Sequence, residues 1–380
     1  MQSKAHLCPK CGKNTIYFDG ICHSCNQRQR REEILNLSAN EVEAMILKIA
    51  DRIDEIEKRQ EIYNDFWALF SLLGIHDPKI ARAAAAAEIY CPPELYFGAP
   101  KDVRDALVHK LASLQDNAKN TLNDLLCALA WQGDEQTTRL FYELYQNPRP
   151  WRQKLYAGTE VYAQIGGWSF DQRGERKSLV FEKCLVAVRV KDGKCASQGA
   201  NLNSNQNADE PVRIGRPTGQ KCEFCGCEML DMLRLKADEP RLAFLNLKHD
   251  AIFRCCPTCV GSVMYFCKCG ADGEPQMRCE GEGMEKSYFS QQDMARLSGM
   301  KFKLSGEVSP FYSCFDELDV TVGGYPQWVQ DAAYLSCPSC GGTMKHLAQI
   351  PFGELVQGEG IIYVQICEKC KVLGGCFQCT

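Results

Sequence analysis

The residues with chemistry in this chain are its cysteines, 24 of them in 380 residues, and fourteen stand in seven Cys-x-x-Cys pairs: Cys8/Cys11, Cys22/Cys25, Cys222/Cys225, Cys256/Cys259, Cys337/Cys340, Cys367/Cys370 and Cys376/Cys379. Two thiolates separated by two residues can reach one ion from a single tight turn, and two such turns complete the tetrahedron that zinc prefers. The competing reading is a disulfide scaffold, which expects a short exported chain. This chain is long, and its start (Met1, Gln2, Ser3, Lys4, Ala5, His6) lacks the apolar stretch of a signal peptide. No run approaches the ~18 apolar residues that span a bilayer. The expectation is a cytoplasmic protein with no membrane partner.

Cys-x-x-Cys can also be a redox pair, but that role needs a reactive pair at a helix N-terminus after a strand. Here the pairs come as matched pairs of pairs, so closed four-thiolate sites are expected, which leave no open coordination position for hydrolysis. The expected Zn²⁺ ligands are Cys8, Cys11, Cys22 and Cys25 at one site, Cys222, Cys225, Cys256 and Cys259 at a second, and Cys337, Cys340, Cys367 and Cys370 at a third. Cys227, Cys267, Cys269 and Cys279 are left as free buried thiols or a fourth metal site, and Cys376 and Cys379 are left without a role. His6 and His23 lie beside cysteine pairs and could each replace a thiolate, although four cysteines already fill that site. The chain has no Gly-x-Ser-x-Gly elbow, phosphate-binding Gly-x4-Gly-Lys-Ser/Thr loop, Gly-x-Gly-x-x-Gly fingerprint or His-Glu-x-x-His helix. No catalytic or cofactor-binding residue is expected, and the protein is read as a non-enzyme.

The formal charge is −4 with cysteines counted neutral. Four thiolates around one Zn²⁺ contribute −2, so three sites bring the total to about −10. A basic partner suits this chain better than a nucleic acid.

The elements that must position these ligands follow from patterning. Residues 1–31 read as a zinc ribbon with Asp19-Gly20 turning between two short strands; its flanks are basic (Lys4, Lys10, Lys13, Arg28, Arg30, Arg31), without interleaved aromatics. Residues 36–150 read as a helical domain. It opens on a capping box, Ser38 with Glu41, and continues with Val42, Ile46, Ile49, Ile53 and Ile56 at spacings of 4, 3, 4 and 3, one apolar stripe. Asp77-Pro78 starts another helix, and further helices are expected over 103–114, 122–130 and 134–145. Acids along Glu41, Glu43, Asp51, Asp54, Glu55 and Glu57 form a solvated face or a docking surface. After Asn147-Pro148-Arg149-Pro150 the pattern changes to alternating strands such as 179–190, and the polar stretch 192–211 reads as a loop.

The 151–380 part repeats itself. Cys222-Glu-Phe-Cys225-Gly-Cys-Glu-Met229 matches Cys337-Pro-Ser-Cys340-Gly-Gly-Thr-Met344, and Cys256 and Cys259 match Cys367 and Cys370, with Phe266 and Phe377 each seven residues beyond. Each copy, over about 212–270 and 318–380, reads as knuckle, strand, returning strand, knuckle. The expected fold is α+β and multidomain: zinc ribbon, α-helical domain and duplicated β-rich zinc-binding C-terminal domain. Trp328, Tyr325 and Phe311, around Gly323-Gly324, read as core.

The stretch Val322-Gly323-Gly324-Tyr325-Pro326-Gln327-Trp328, followed by Cys337-x2-Cys340, Met344, Leu347, Gln349 and Ile362-Tyr363-Val364-x2-Cys367, resembles the YwqG-like bacterial family and the C-terminal part of the programmed cell death protein two family. The copy at Ile214-Gly215-Arg216-Pro217 is only approximate. The resemblance implies a duplicated β-rich fold and carries over no catalytic residue. It also implies two kinds of partner, since eukaryotic relatives are similar to chaperones of a ribosomal protein and bacterial ones include candidates for immunity against toxins. The expected function is a bacterial immunity protein that binds a basic toxin domain one-to-one. The alternatives are an assembly chaperone for a basic ribosomal protein, or nucleic-acid binding through the ribbon.

Overall fold

The N-terminal cysteines organise a hairpin and a helix. In the computed structural model, which describes residues 5–12, 14–114, 119–191, 194–195, 210–270, 273–315, 319–355 and 359–379, Cys8 and Cys11 lie between the strands β1 (His6–Leu7) and β2 (Thr15–Ile16). Cys22 caps the helix α1 (His23–Leu35), and Cys25 lies inside it. The expected strand after Asp19-Gly20 is therefore a helix. Its sequence, rich in Gln, Arg and Glu with neither Gly nor Pro, favours helix over strand. Lys4, Lys13 and most of the expected 192–211 loop fall outside the described residues.

The capping box forms at α2 (Ala39–Asp51): the Glu41 backbone N–H donates to Ser38 Oγ, and the Ser38 N–H donates to Glu41. The helix gives way at Arg52 to a 3-10 turn, Ile53–Glu55, yet Ile46, Ile49, Ile53 and Ile56 are all buried. Burial of the stripe outlasts the helix that began it. There follow α3 (Gln60–Trp67), α4 (Pro78–Ala86), α5 (Lys101–Ser113), α6 (Lys119–Gln132) and α7 (Glu135–Gln146), with Asp77 and Asp134 capping α4 and α7. The change to strands comes later than Pro150. A further helix, α8 (Thr159–Ile165), packs Tyr162 and Ala163 into the helical core, and Trp168 Nε1 closes it by donating to the Ala130 carbonyl at 2.7 Å.

Trp168 begins the hairpin β3 (Trp168–Phe170) and β4 (Arg176–Ser178). The remaining strands are β5 (Phe181–Lys191), β6 (Lys194–Cys195), β7 (Val212–Arg213), β8 (Arg216–Lys221), β9 (Glu228–Leu235), β10 (Ala251–Cys255), β11 (Val263–Cys269), β12 (Pro275–Gly281), β13 (Lys301–Val308), β14 (Val320–Gly324), β15 (Lys345–Pro351), β16 (Ile361–Ile366) and β17 (Val372–Gln378), with α9 (Gln291–Ser298) before β13 and α10 (Phe352–Leu355) after β15. They make a large antiparallel sheet in the order β12-β11-β17-β16-β15-β14-β5-β13, with β6 on β5, and a smaller sheet of β10, β9, β7 and β8. One apolar core lies between the sheets, joining Leu230, Leu233 and Phe253 to Leu347, Ile362 and Val364.

The helical part meets the large sheet through the β13–β14 connection and the residue just after β14. Phe311 lies in the helical core, and the Tyr325 ring stacks on Trp131 with centroids 5.6 Å apart. Gly323 and Gly324 make that crossing possible. Both have φ near +70° (75° and 71°), and a Cβ on them would stand 2.2 Å from the Lys183 carbonyl and 2.5 Å from that of Pro310. The close approach there is to the chain's own backbone. The helix α1 is tied to the same region: Arg31 Nη1 donates to Asp319 at 2.5 Å and to Tyr312 Oη at 2.6 Å. No helix among the described residues is long and apolar enough to cross a membrane.

Candidate metal centres

Four of the cysteine pairs sit in the same backbone turn. The N–H four residues after the first cysteine donates to that cysteine's carbonyl, as in Gly12 to Cys8 (2.8 Å), Gly226 to Cys222 (2.9 Å), Gly341 to Cys337 (2.8 Å) and Lys371 to Cys367 (2.8 Å). The donor residue is left-handed in each, with φ of 64°, 70°, 69° and 54°. Glycine adopts this conformation freely, whereas a lysine in the left-handed region costs about 1–2 kcal/mol. The Cys22 and Cys256 pairs instead close on Asn26 and Val260, neither of which is left-handed; Cys22 opens α1.

These turns bring together the twelve expected cysteines in three groups, Cys8/Cys11/Cys22/Cys25, Cys222/Cys225/Cys256/Cys259 and Cys337/Cys340/Cys367/Cys370, with the sulfurs of each group within 4.8 Å of one another. All twelve are free cysteines. Contacts between pairs are 3.7 Å for Cys11–Cys22, 3.8 Å for Cys222–Cys259, 3.5 Å for Cys225–Cys256 and 3.7 Å for Cys340–Cys367. A disulfide would need ~2.05 Å. Four sulfurs held ~2.3 Å from one tetrahedral ion lie about 3.8 Å apart, so the spacing fits a metal at the centre of each group.

The surrounding donors also suit thiolate. The Cys22 N–H donates to Cys8 Sγ and the Asn14 amide to Cys22 Sγ, both at 3.2 Å, and Met284 N–H and Cys370 N–H donate to Cys259 Sγ and Cys367 Sγ, both at 3.4 Å. Burial works to raise the Cys8 thiol, but backbone donors led by Cys22 outweigh it and bring it down to about 6. At Cys340 the Gly342 N–H leads, and the thiol falls to about 7. Burial pushes Cys25 and Cys367 up to about 12, with neighbouring sulfurs adding to it. The first and third groups thus each hold one sulfur ready to ionise, Cys8 and Cys340, beside one that needs a nearby cation to do so, Cys25 and Cys367. Supplying that cation is the chemistry a divalent metal would bring here.

His6 and His23 belong to none of these groups. Among the described residues the remaining cysteines gather no further set of three or more metal ligands. Cys267 and Cys269 have another use. Their sulfurs accept from the Arg254 and Ile252 N–H groups at 3.3 Å and lie 3.4 and 3.5 Å from the carbonyls of the same residues. They pair the free edge of β10 with β11 where no strand does. Cys376 Sγ lies 3.7 Å from Gln365 Nε2 and from the Ala333 carbonyl.

The motif around Gln327, Trp328 and Gln349 turns out to be a clamp. Residues 325–336 cross the face of the large sheet opposite its apolar core, and side chains of that face replace the missing strand partners of this strap. Gln349 accepts from Gln327 N–H at 2.8 Å, Tyr363 Oη from Val329 N–H at 3.0 Å, Gln378 from Gln330 N–H at 3.1 Å and Gln365 from Leu335 N–H at 2.8 Å. Gln365 and Gln378 also donate to the Ala333 and Asp331 carbonyls at 2.8 Å. His346 is on the same face, fully buried with neither ring nitrogen bonded, and burial pushes its pKa down to about 3. Only Gln349 of these glutamines stands out in sequence. The signal for the others is polar residues at every second position of strands that are otherwise buried: Tyr363 and Gln365 in β16, Cys376 and Gln378 in β17.

Comparison with known proteins adds one relative. A Salmonella typhimurium protein described as "Uncharacterized protein YpfL" is 26% identical over 296 residues, which cover 76% of this chain and 65% of that protein. The chain is similar to a protein without an assigned activity. It spans less than two thirds of that relative's length. No family model matches the sequence, and no solved structure matches it.

Proposed function

We propose that this chain is a zinc-braced, non-catalytic binding protein, and that its action is to hold another folded protein in a one-to-one complex, as a bacterial immunity protein holds a toxin domain. The observation that carries the metal part is the set of three closed four-sulfur groups at tetrahedral spacing. A metal with four thiolates has no open position, so it braces rather than reacts. Each group also joins two separate stretches of chain. That preorganises a surface, which a tight inhibitor needs because ordering on contact costs affinity.

Charge favours a basic partner. The α2 face that carries Leu47, 45% exposed, carries Glu43 and Asp51 one turn to either side, and Asp54 and Glu57 are exposed beyond it. Acids at a rim speed encounter with a cationic partner. We infer as well that 212–270 and 318–380 are copies of one unit, in keeping with the YwqG-like resemblance. In support, β11 and β17, the strands that follow the second knuckle of each copy, pair antiparallel with Tyr265 opposite Gly375. The copies have diverged in their sheets, since β15, β16 and β17 share one sheet while β9 and β10 lie in the other.

The test is co-expression with toxin genes found beside this gene, followed by co-purification, growth rescue and elemental analysis. A stable one-to-one complex that rescues growth, with three zinc ions per chain, is expected. Rescue without binding, or a neighbourhood of translation genes with capture of a basic ribosomal protein, overturns immunity in favour of the assembly-chaperone reading. Fewer than two zinc ions, or mostly disulfides, overturns the metal reading.

A further inference from the structure

We propose that the third cysteine group is a site of oxidative modification, at which a peroxide converts two of the four ligands into a disulfide and releases the metal while the other two groups keep theirs. This rests on the reading that the groups hold metal. The first two groups have no exposed sulfur. Cys8, Cys22 and Cys25 are 0%, 3% and 5% exposed, and Cys222, Cys256 and Cys259 are 5%, 0% and 0%, with Cys11 and Cys225 half-buried. In the third, Cys337 and Cys367 are buried, but Cys340 is exposed, alone among the twelve, and Cys370 is half-buried.

Cys340 also stands in the wall of a cleft of about 840 Å³ between the β3–β4 hairpin and the two knuckles of this group. That space admits a peroxide and, afterwards, a thiol reductant. Oxidation of a cysteine follows exposure and thiolate character, and a zinc-bound sulfur is held as thiolate.

The step balances. Cys340 sulfur attacks one peroxide oxygen, an S–O bond forms, the O–O bond breaks, and the departing hydroxide takes a proton to become water. A neighbouring thiolate, Cys367 at 3.7 Å, then attacks the sulfenic sulfur; the S–S bond forms and a second hydroxide leaves as water. Two thiolates have lost two electrons and the peroxide has gained them. The metal, left with two ligands, dissociates.

Loss of this metal has a structural consequence. The Met344 N–H holds the Leu335 carbonyl at 2.8 Å, and Met344, Cys337 and Cys367 form a small core with Phe266 against which Leu335 packs. This is where the strap ends. Opening the third group removes that packing and leaves this end of the strap held by Gln365.

Zinc-loaded protein is titrated with hydrogen peroxide while a chromophoric chelator reports released zinc and differential alkylation with mass spectrometry locates the modified cysteines. The first zinc should leave about tenfold faster than the others, together with a disulfide that includes Cys340, and hydrogen exchange should rise over 333–344. Dithiothreitol with added zinc should reverse all three changes. Release from the Cys8 or Cys222 group first, simultaneous loss of all three, or a first release with Cys340 unmodified overturns the proposal. Cys340→Ser should abolish the fast phase; because this variant can lose the third site outright, the wild-type mapping decides. Zinc content before oxidant separates the two readings: absence of zinc sinks the metal reading, and three zinc ions lost in another order sink only this one.

Discussion

At the scale of residues, cysteines of one chemical type divide into different uses according to what faces the sulfur. Cys340 faces three other sulfurs within 4.8 Å, whereas Cys376 faces a glutamine amide and a carbonyl. Serine can replace a thiol in the second setting but is a poor zinc ligand in the first. Cys340→Ser should therefore lower zinc content by one equivalent and depress the melting temperature markedly, since binding energy at a structural site is folding energy. Cys376→Ser should keep three zinc ions and cost no more than about 1 kcal/mol, the usual worth of one hydrogen bond. Equal melting temperatures for the two variants would contradict this division.

Among elements, the strap shows how an irregular segment can be held as firmly as a strand. Its half-buried N–H and C=O groups need partners, and no strand supplies them; Gln365 takes the part of a neighbouring backbone by accepting from Leu335 and donating to Ala333. Gln365→Leu keeps the volume but strands both groups, at about 1–3 kcal/mol each. Denaturant unfolding should show that loss, and hydrogen exchange should quicken over 329–335 before other regions. Should exchange there remain unchanged, the strap does not depend on the glutamine.

For the molecule as a whole, a buried histidine, His346, and a half-buried one, His76, couple stability to pH. His346 lies under the strap with its pKa lowered to about 3, and His76, among the rings of Phe70, Phe97 and Phe311 where the helical part meets the β-rich part, is lowered to about 4; burial is the cause at both. An unfolded histidine titrates near ~6.5. Between these values the unfolded chain binds more protons than the folded one, so this stability is fully present above about pH 6.5 and is lost as pH falls through about 4 for His76 and about 3 for His346. Each tenfold loss of proton affinity on folding corresponds to about 1.4 kcal/mol, so both histidines matter. Unfolding measured at pH 7, 6, 5 and 4 should show the fall, and His346→Leu should flatten it, with released zinc followed in parallel so that acid loss of metal is seen separately. A slope the same in both proteins would remove His346 as a cause.

Spacing named seven pairs and the internal repeat singled out the twelve cysteines that the structure gathers into three groups; the pairs were legible because Cys-x-x-Cys is a local geometry: the turn that aims both sulfurs spans only a few residues, and Gly12, Gly226 and Gly341 mark its left-handed closure. The starts of α2 and α4 were legible for the same reason, each cap lying within three residues of what it bonds. Tertiary structure alone decided the rest. The second N-terminal pair opens a helix, and that helix is fixed by Arg31 to Asp319, 288 residues away in sequence. Cys267 and Cys269 serve a strand edge that only the crossing of β10 and β11 creates. Gln365 and Gln378 read as ordinary polar positions until the strap lies over them. Which metal group stands open is a matter of what packs around it, since the Cys8, Cys222 and Cys337 knuckles share one local pattern, yet only Cys340 is exposed, beside the cleft next to the β3–β4 hairpin.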